Sequence, residues 1–288
     1  MTETNRSQES IEDIILWHDE RGMTALRPHL PPDYCVQAAR FIYERPGTVL
    51  VVTGFYEIEP HTIETDGPPG ALAVGRALQD CDRDVVYISD KYAVPFLEPE
   101  AQGADVVEFP ITRAEESRAF ALSLLDRYRP SVVMALERCS ATQSGRYLNM
   151  SGKDITIYTA RVDYLFTEHS ATVGVGDGGN EIGMGKLAHI IPTVPSLPDK
   201  PALTSATHLV VTSVSNWGGY GLAAGLSILA RRDLLPSREE EAGLIRRMVD
   251  RGAVDGKLMK PVPGVDGYTL EENLDILDRL RQLVAASM

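Results

Sequence analysis

Asp177, Asn180 and Glu181 hang three oxygen-bearing side chains on one bend, within Gly176-Asp-Gly-Gly-Asn-Glu-Ile-Gly-Met-Gly185. Carboxylates beside free backbone N–H groups suit a hard divalent cation, a polar anion, or both together. Six glycines between Gly174 and Gly185 cost much chain entropy, which argues for close backbone approach to a ligand. The blander alternative is a hairpin-like turn in which Asp177 caps a helix. Three other stretches carry comparable groups: Gly54 to Gly70, with Asp66; Glu137-Arg138; and Ser215-Asn216-Trp-Gly-Gly-Tyr-Gly221. Asp66, Glu137, Asp177 and Glu181 together make an oxygen ligand set for Mg²⁺ or Mn²⁺. Without a cation such a group would repel itself and raise its own pKa values. Taken singly, each acid is more readily a cap or a surface residue, so the expectation rests on shared placement.

That placement depends on the elements in between. The runs 48–53, 84–89, 104–109, 131–136, 172–175 and 208–213 are apolar and rich in β-branched residues, as in strands buried on both faces of a parallel sheet. Helical patterns separate several of them, including 72–78, 112–128 and the stretch from Ser215 to about Arg231. The alternation predicts an α/β fold, a mostly parallel, doubly wound (Rossmann-like) sheet with helices on both faces. In such a sheet ligands bind beyond the carboxyl ends of the strands, where all four polar stretches would converge. The bend at Asp177 is expected to lead into a helix. Ahead of the sheet, a polar tail and two helices with apolar stripes (Ile11, Ile14, Ile15, Trp17; Val36, Ala39, Phe41, Ile42) read as packing elements. The expected organisation is therefore an N-terminal helical segment, 1–45, packed on a single α/β domain, 46–288.

Composition narrows the partners. With 41 acids against 28 bases over 288 residues, the net charge is −13. That argues against nucleic acid and anionic membranes, since phosphate contacts need clustered Lys and Arg. A small anionic substrate remains compatible, because a bound metal or a few arginines can reverse the field in one cleft. Three widely spaced cysteines without a CxxC give neither a disulfide framework nor a zinc site. The polar, acidic N-terminus reads as neither signal nor transit peptide. Together these predict a cytoplasmic location, and a homo-oligomer is compatible with them.

Other chemistries lack their signatures. The six histidines show no HxxxH or HxH spacing, and no GxSxG elbow or P-loop occurs. Gly174-Val-Gly-Asp-Gly-Gly179 matches GxGxxG by letter but lacks the acidic ribose partner. The GDGGNE string is similar to the metal loop of haloacid-dehalogenase-type phosphatases, yet Val51-Val-Thr-Gly-Phe55 does not supply that family's DxDxT nucleophile.

Read together, Thr53-Gly-Phe, Glu64-Thr-Asp-Gly-Pro-Pro-Gly-Ala71, Glu137-Arg138, Asn149-Met-Ser-Gly-Lys-Asp154, the string Gly176 to Gly185, and Ser215 to Gly221 resemble the carboxyl-terminal domain of D-glutamate cyclases, over about residues 45 to 285. The resemblance implies a metal-dependent lyase that closes D-glutamate, or a related amino acid, to 5-oxo-D-proline with loss of water. The two-part cyclases carry a further amino-terminal domain that this sequence does not show. On that reading Glu137 takes a proton from the amine, and Arg138 or Lys186 holds the α-carboxylate. The backbone amides of Gly178 and Gly179 steady developing charge, and Asn180, Ser215 and Asn216 complete the substrate contacts. Two alternatives remain: a metal-dependent hydrolase or phosphatase acting on a small anionic metabolite, and a non-catalytic module that binds metal or metabolite.

Overall fold

The computed structural model describes residues 9–288. The first eight residues of the expected polar tail lie outside them. Six strands form one parallel sheet: β1 (Val49–Thr53), β2 (Val85–Ser89), β3 (Asp105–Glu108), β4 (Val132–Leu136), β5 (Thr172–Gly176) and β6 (His208–Val211). Their spatial order is β3-β2-β1-β4-β5-β6. The chain winds outward from β1 in one direction and then from β4 in the other, so the switch point falls between β1 and β4. β1 is buried at every residue, as the unbroken Val-Leu-Val-Val run demands. Its register sets Val51 opposite Tyr87 on one side and Met134 on the other.

The period of two divides the core. Val49, Val51, Tyr87, Met134 and Val173 pack on one face, against helices α1 (Ile11–Ile15), α2 (Tyr34–Tyr43), α3 (Pro68–Gln79), α5 (Ser215–Ala230), α6 (Arg238–Asp250) and α7 (Leu270–Ser287). Leu50, Val52, Val86, Ile88, Val133 and Ala135 pack on the other, against α4 (Ala114–Tyr128) and Phe166. Helices therefore cover both faces of the sheet, and the doubly wound α/β expectation holds. The edge strand β3 is shorter and more exposed than its apolar letters suggest.

α5 is the central helix. Its first thirteen residues are buried, and Trp217 donates to Asn273 on α7 at 2.7 Å. The two N-terminal helices lock onto the β6 end of the sheet: Tyr34 donates to the carbonyl of Val211, and Thr212 to that of Ile15. Among the described residues no helix is long and apolar enough to cross a membrane.

The bend after β5 differs from the expectation. No helix follows Asp177. Residues 177–184 double back instead, with Ile182 N–H donating to the carbonyl of Arg138, and only a single 3₁₀ turn (Gly185–Leu187) comes next. The cause is backbone-to-backbone packing. A Cβ on Gly174 would lie 2.5 Å from the Ile182 carbonyl oxygen and 2.7 Å from Gly183 Cα. The glycines there serve chain crossing rather than ligand approach.

Candidate active site

Asp66 is held by the starts of two helices. Its carboxylate accepts N–H groups of Gly67, Ser215 and Asn216 at 2.7–2.9 Å, so it sits on the positive end of α5. Asn216 returns the favour at α3: Oδ1 accepts from Gly67 and Gly70, and Nδ2 donates to the Thr65 carbonyl. The two helix starts come this close because Gly219 faces Gly70, where a Cβ would lie 2.6 Å from a backbone oxygen. Gly67, at φ 95°, makes a comparable approach to the end of β4; its Cβ would lie 2.7 Å from that of Glu137.

Glu137 leaves β4 with φ 42°, an uncommon backbone for a residue with a side chain. Its Oε2 accepts from the Ser215 hydroxyl at 2.7 Å. Asp177 follows β5 and accepts from Ser215 N–H through Oδ2 at 3.1 Å. It does help cap a helix, though α5 rather than one of its own. One carboxylate oxygen from each of Asp66, Glu137 and Asp177 lies within 4.8 Å of the others, and all three residues are buried. The three groups come from three different strand connections, as the convergence argument requires.

Glu181 lines the same cleft but stands outside this group. Its two oxygens accept the N–H groups of Gly178 and Gly179 at 2.7 and 2.8 Å. Those two amides are therefore satisfied by the loop's own carboxylate, not directed at a ligand. Cβ atoms on Gly176 or Gly178 would meet Glu181 oxygens at 2.8 Å, which accounts for two more of the glycines. Asn180 lines the cleft, with Nδ2 3.3 Å from the Leu148 carbonyl oxygen. Ser215 and Asn216 act by holding the carboxylates in place.

Asp66, Ser215 and Asn216 are buried and not among the residues lining the cleft, and two expected side chains lie away from the site altogether. Arg138 is buried elsewhere, donating to the carbonyls of Gly54 and Ala160 and to Asp90 at 2.6–3.1 Å. A buried guanidinium needs such partners, and these consume the one that sequence adjacency to Glu137 made attractive. Lys186 donates to the Thr207 carbonyl at 2.7 Å, beyond the doubled-back loop and outside the cleft lining.

The cleft encloses about 350 Å³ and brings in residues that the sequence reading passed over. Glu57 and Glu64 come from the hairpin region after β1, and Asp266 from a two-residue turn between Gly264–Val265 and Tyr268–Thr269. Arg21 comes from the N-terminal segment; its guanidinium lies 2.6 Å from Asp177 and 2.9 Å from Asp266. Glu64 stood inside a quoted motif. The signal for the others was slight: Asp266-Gly267 is a common turn pair, and Arg21 follows an apolar stripe that reads as packing.

Electrostatics set these carboxyls apart. Burial, reinforced by neighbouring carboxylates, pushes Glu64 and Glu137 well above the usual range. Asp177 rises well above it for the same leading reason, although Arg21 pulls the other way. Glu57, Asp66 and Asp266 are pushed up to about 7, again chiefly by burial. Ser213 Oγ, which also lines the cleft, is buried without a hydrogen-bond partner. Crowded hard-oxygen donors and an unsatisfied hydroxyl fit a divalent cation of the Mg²⁺ or Mn²⁺ kind.

A pH dependence follows. Unfolded carboxyls titrate near pH 4, so between about pH 4 and 7 the native cluster retains protons that the unfolded chain has lost. The cluster's contribution to stability then falls as pH rises through that window. A cation that displaces those protons should stabilise more at high pH. The rise in melting temperature on adding Mn²⁺ to chelator-treated protein is expected to grow from about pH 5 to 7.5; a pH-independent rise would contradict this account of the cluster.

Comparison with known proteins adds an independent line. A family model described as D-glutamate cyclase-like, C-terminal matches residues 11–281. The mitochondrial D-glutamate cyclase of Homo sapiens is 34% identical over 203 residues, 63% of this chain and 33% of that enzyme. The match thus spans about a third of the human protein's length. Among solved structures, a point variant of actinorhodin polyketide ketoreductase with NADPH aligns over 84% of this chain and 92% of its own, at 14% identity and a TM-score of 0.28. Likeness at that level carries no argument.

Proposed function

The chain belongs to the D-glutamate cyclase-like, C-terminal family, and from that premise we propose that it is a lyase closing D-glutamate to 5-oxo-D-proline with loss of water. The observation that carries the reading is the buried meeting of Asp66, Glu137 and Asp177 at the carboxyl ends of the sheet. These three would hold a divalent cation, Mg²⁺ or Mn²⁺, which supplies Lewis acidity toward the γ-carboxylate.

The remaining chemistry falls to the chain. The substrate ammonium sheds two protons, its nitrogen bonds to the γ-carbon, and one γ-oxygen leaves with both protons as water. Charge balances, since the lactam keeps the α-carboxylate. Proton acceptance needs an ionised carboxylate at a fixed place. Glu137, ionised while the cation is held, serves there, with Oε2 oriented by the Ser215 hydroxyl. Proton delivery needs a carboxyl still protonated near neutrality, and Glu64, in the same cleft, meets that need. The enclosing walls hold both ends of one flexible molecule together, which supplies orientation.

The test is direct. Protein reloaded with Mn²⁺ is incubated with D-glutamate, L-glutamate and, in the reverse direction, 5-oxo-D-proline, and ring closure or opening is followed by proton NMR. Interconversion of D-glutamate and 5-oxo-D-proline is the expected result. Hydrolysis of phosphomonoesters in a parallel panel, with glutamate untouched, would replace the cyclase reading by a hydrolase. Silence on every substrate would leave a binding module.

A further inference from the structure

A cleft lined by Glu57, Glu64, Glu137, Asp177, Glu181 and Asp266 repels any anion, yet the substrate proposed above keeps an anionic α-carboxylate from start to finish. Two cationic side chains reach the lining. Lys257 stands at the rim, half exposed and paired with Glu20. Arg21 enters deeper, with its side chain only 24% exposed.

Its backbone is fixed before its side chain is considered. The Asp19 carboxylate accepts the N–H groups of Arg21, Gly22, Met23 and Thr24 at 2.7–3.2 Å. The Ser196 hydroxyl donates to the Arg21 carbonyl at 2.6 Å. Gly22, at φ 86°, lets the chain pass Ser196, whose Oγ would lie 2.8 Å from an added Cβ. So the short connection after α1 is rigid and aims one guanidinium at the acids. Contact with Asp266 is close but poorly aligned: Asp266 Oδ2 is buried without a hydrogen-bond partner. A guanidinium has five N–H donors in a planar fork, and two close charge contacts do not exhaust them.

We propose that Arg21 binds the α-carboxylate of the substrate, the place that the sequence reading gave to Arg138 or Lys186. This rests on the cyclase reading. Asp177 touches Arg21 and belongs to the three-carboxylate group, so the two ends of a short dicarboxylate would be gripped on either side of one residue. A planar fork matches a carboxylate in two parallel N–H···O bonds, which a lysine cannot reproduce. Because the α-carboxylate keeps its charge throughout, the grip is nearly uniform between substrate and product and acts on KM more than on kcat.

The experiment is calorimetry on the full chain loaded with Mn²⁺, using 5-oxo-D-proline and its carboxamide as probes. The native protein is expected to prefer the carboxylate by about 10–100-fold, the scale of charge-assisted hydrogen bonds. In Arg21→Gln the two ligands should bind about equally, with carboxamide affinity kept. Arg21→Lys should fall between, and it serves as the test if the Gln variant does not fold. Retained preference in the folded variant overturns the proposal and leaves Arg21 a structural counter-ion. If the native protein binds neither probe, the cyclase substrate is wrong. Glutarate against its monoamide then decides Arg21 separately: loss of an acid preference upholds the carboxylate role, and no preference in the native protein overturns it.

Discussion

Asp177→Asn is expected to lower turnover of D-glutamate by about 10³-fold or more, roughly 4 kcal/mol of transition-state stabilisation, while the fold persists. The substitution keeps volume and an acceptor, so the side chain can still receive Ser215 N–H at the start of α5. What it removes is a negative charge from the three-carboxylate group and from Arg21. In the metal-free protein those losses oppose each other. The Arg21 pair is weakened, but burial of a charge and its repulsion by Asp66 and Glu181 are relieved. Stability without metal should therefore change little, in contrast to activity. Melting curves beside steady-state rates separate the outcomes: a parallel fall in both would make Asp177 a structural cap, and unchanged activity would remove it from the site.

Gly219→Ala should produce the largest structural effect. Its Cβ would lie 2.6–2.7 Å from Gly70 O, C and Cα, all backbone atoms that cannot rotate away. Overpacking of this kind costs about 1–3 kcal/mol, occasionally more. The upper end is expected because α3 and α5 carry both helix starts around Asp66 and Asn216. A shift there also breaks the alignment of Asp66 on the Ser215 and Asn216 amides. Thermal denaturation is expected to show a fall in melting temperature, and Mn²⁺ titration a weaker affinity in whatever fraction remains folded. A native-like melt would mean that the helices separate easily and that glycine is not required at this crossing.

Much of the fold was legible because buried parallel strands announce themselves. Val-Leu-Val-Val in β1 and Val-Val-Met-Ala-Leu in β4 have no polar residue to place in water, and both are fully buried. The convergence of Asp66, Glu137 and Asp177 followed from strand direction alone, because the carboxyl ends of parallel strands share a rim. Side-chain direction was not legible in the same way. Arg138 follows Glu137 in sequence, but consecutive residues leaving a strand point to opposite sides, and only one of the pair can face the cleft. Glycine density was read as room for a ligand, whereas much of it at 174–183 makes room for Glu181 and for a chain crossing itself. Arg21 was invisible for a further reason. Its helical neighbours carry apolar stripes that explain them fully as packing, and nothing local tells where the connection after α1 delivers its side chain.

The central claim is that Asp66, Glu137 and Asp177 hold one divalent cation. The most direct measurement is calorimetric titration of Mn²⁺ into chelator-stripped protein, native and Asp177→Asn, at neutral pH and with no substrate present. The account predicts one tight site in the native chain and a loss of at least about tenfold in affinity, some 1.4 kcal/mol, in the variant. No heat of binding in the native protein, or the same isotherm in both, would contradict it.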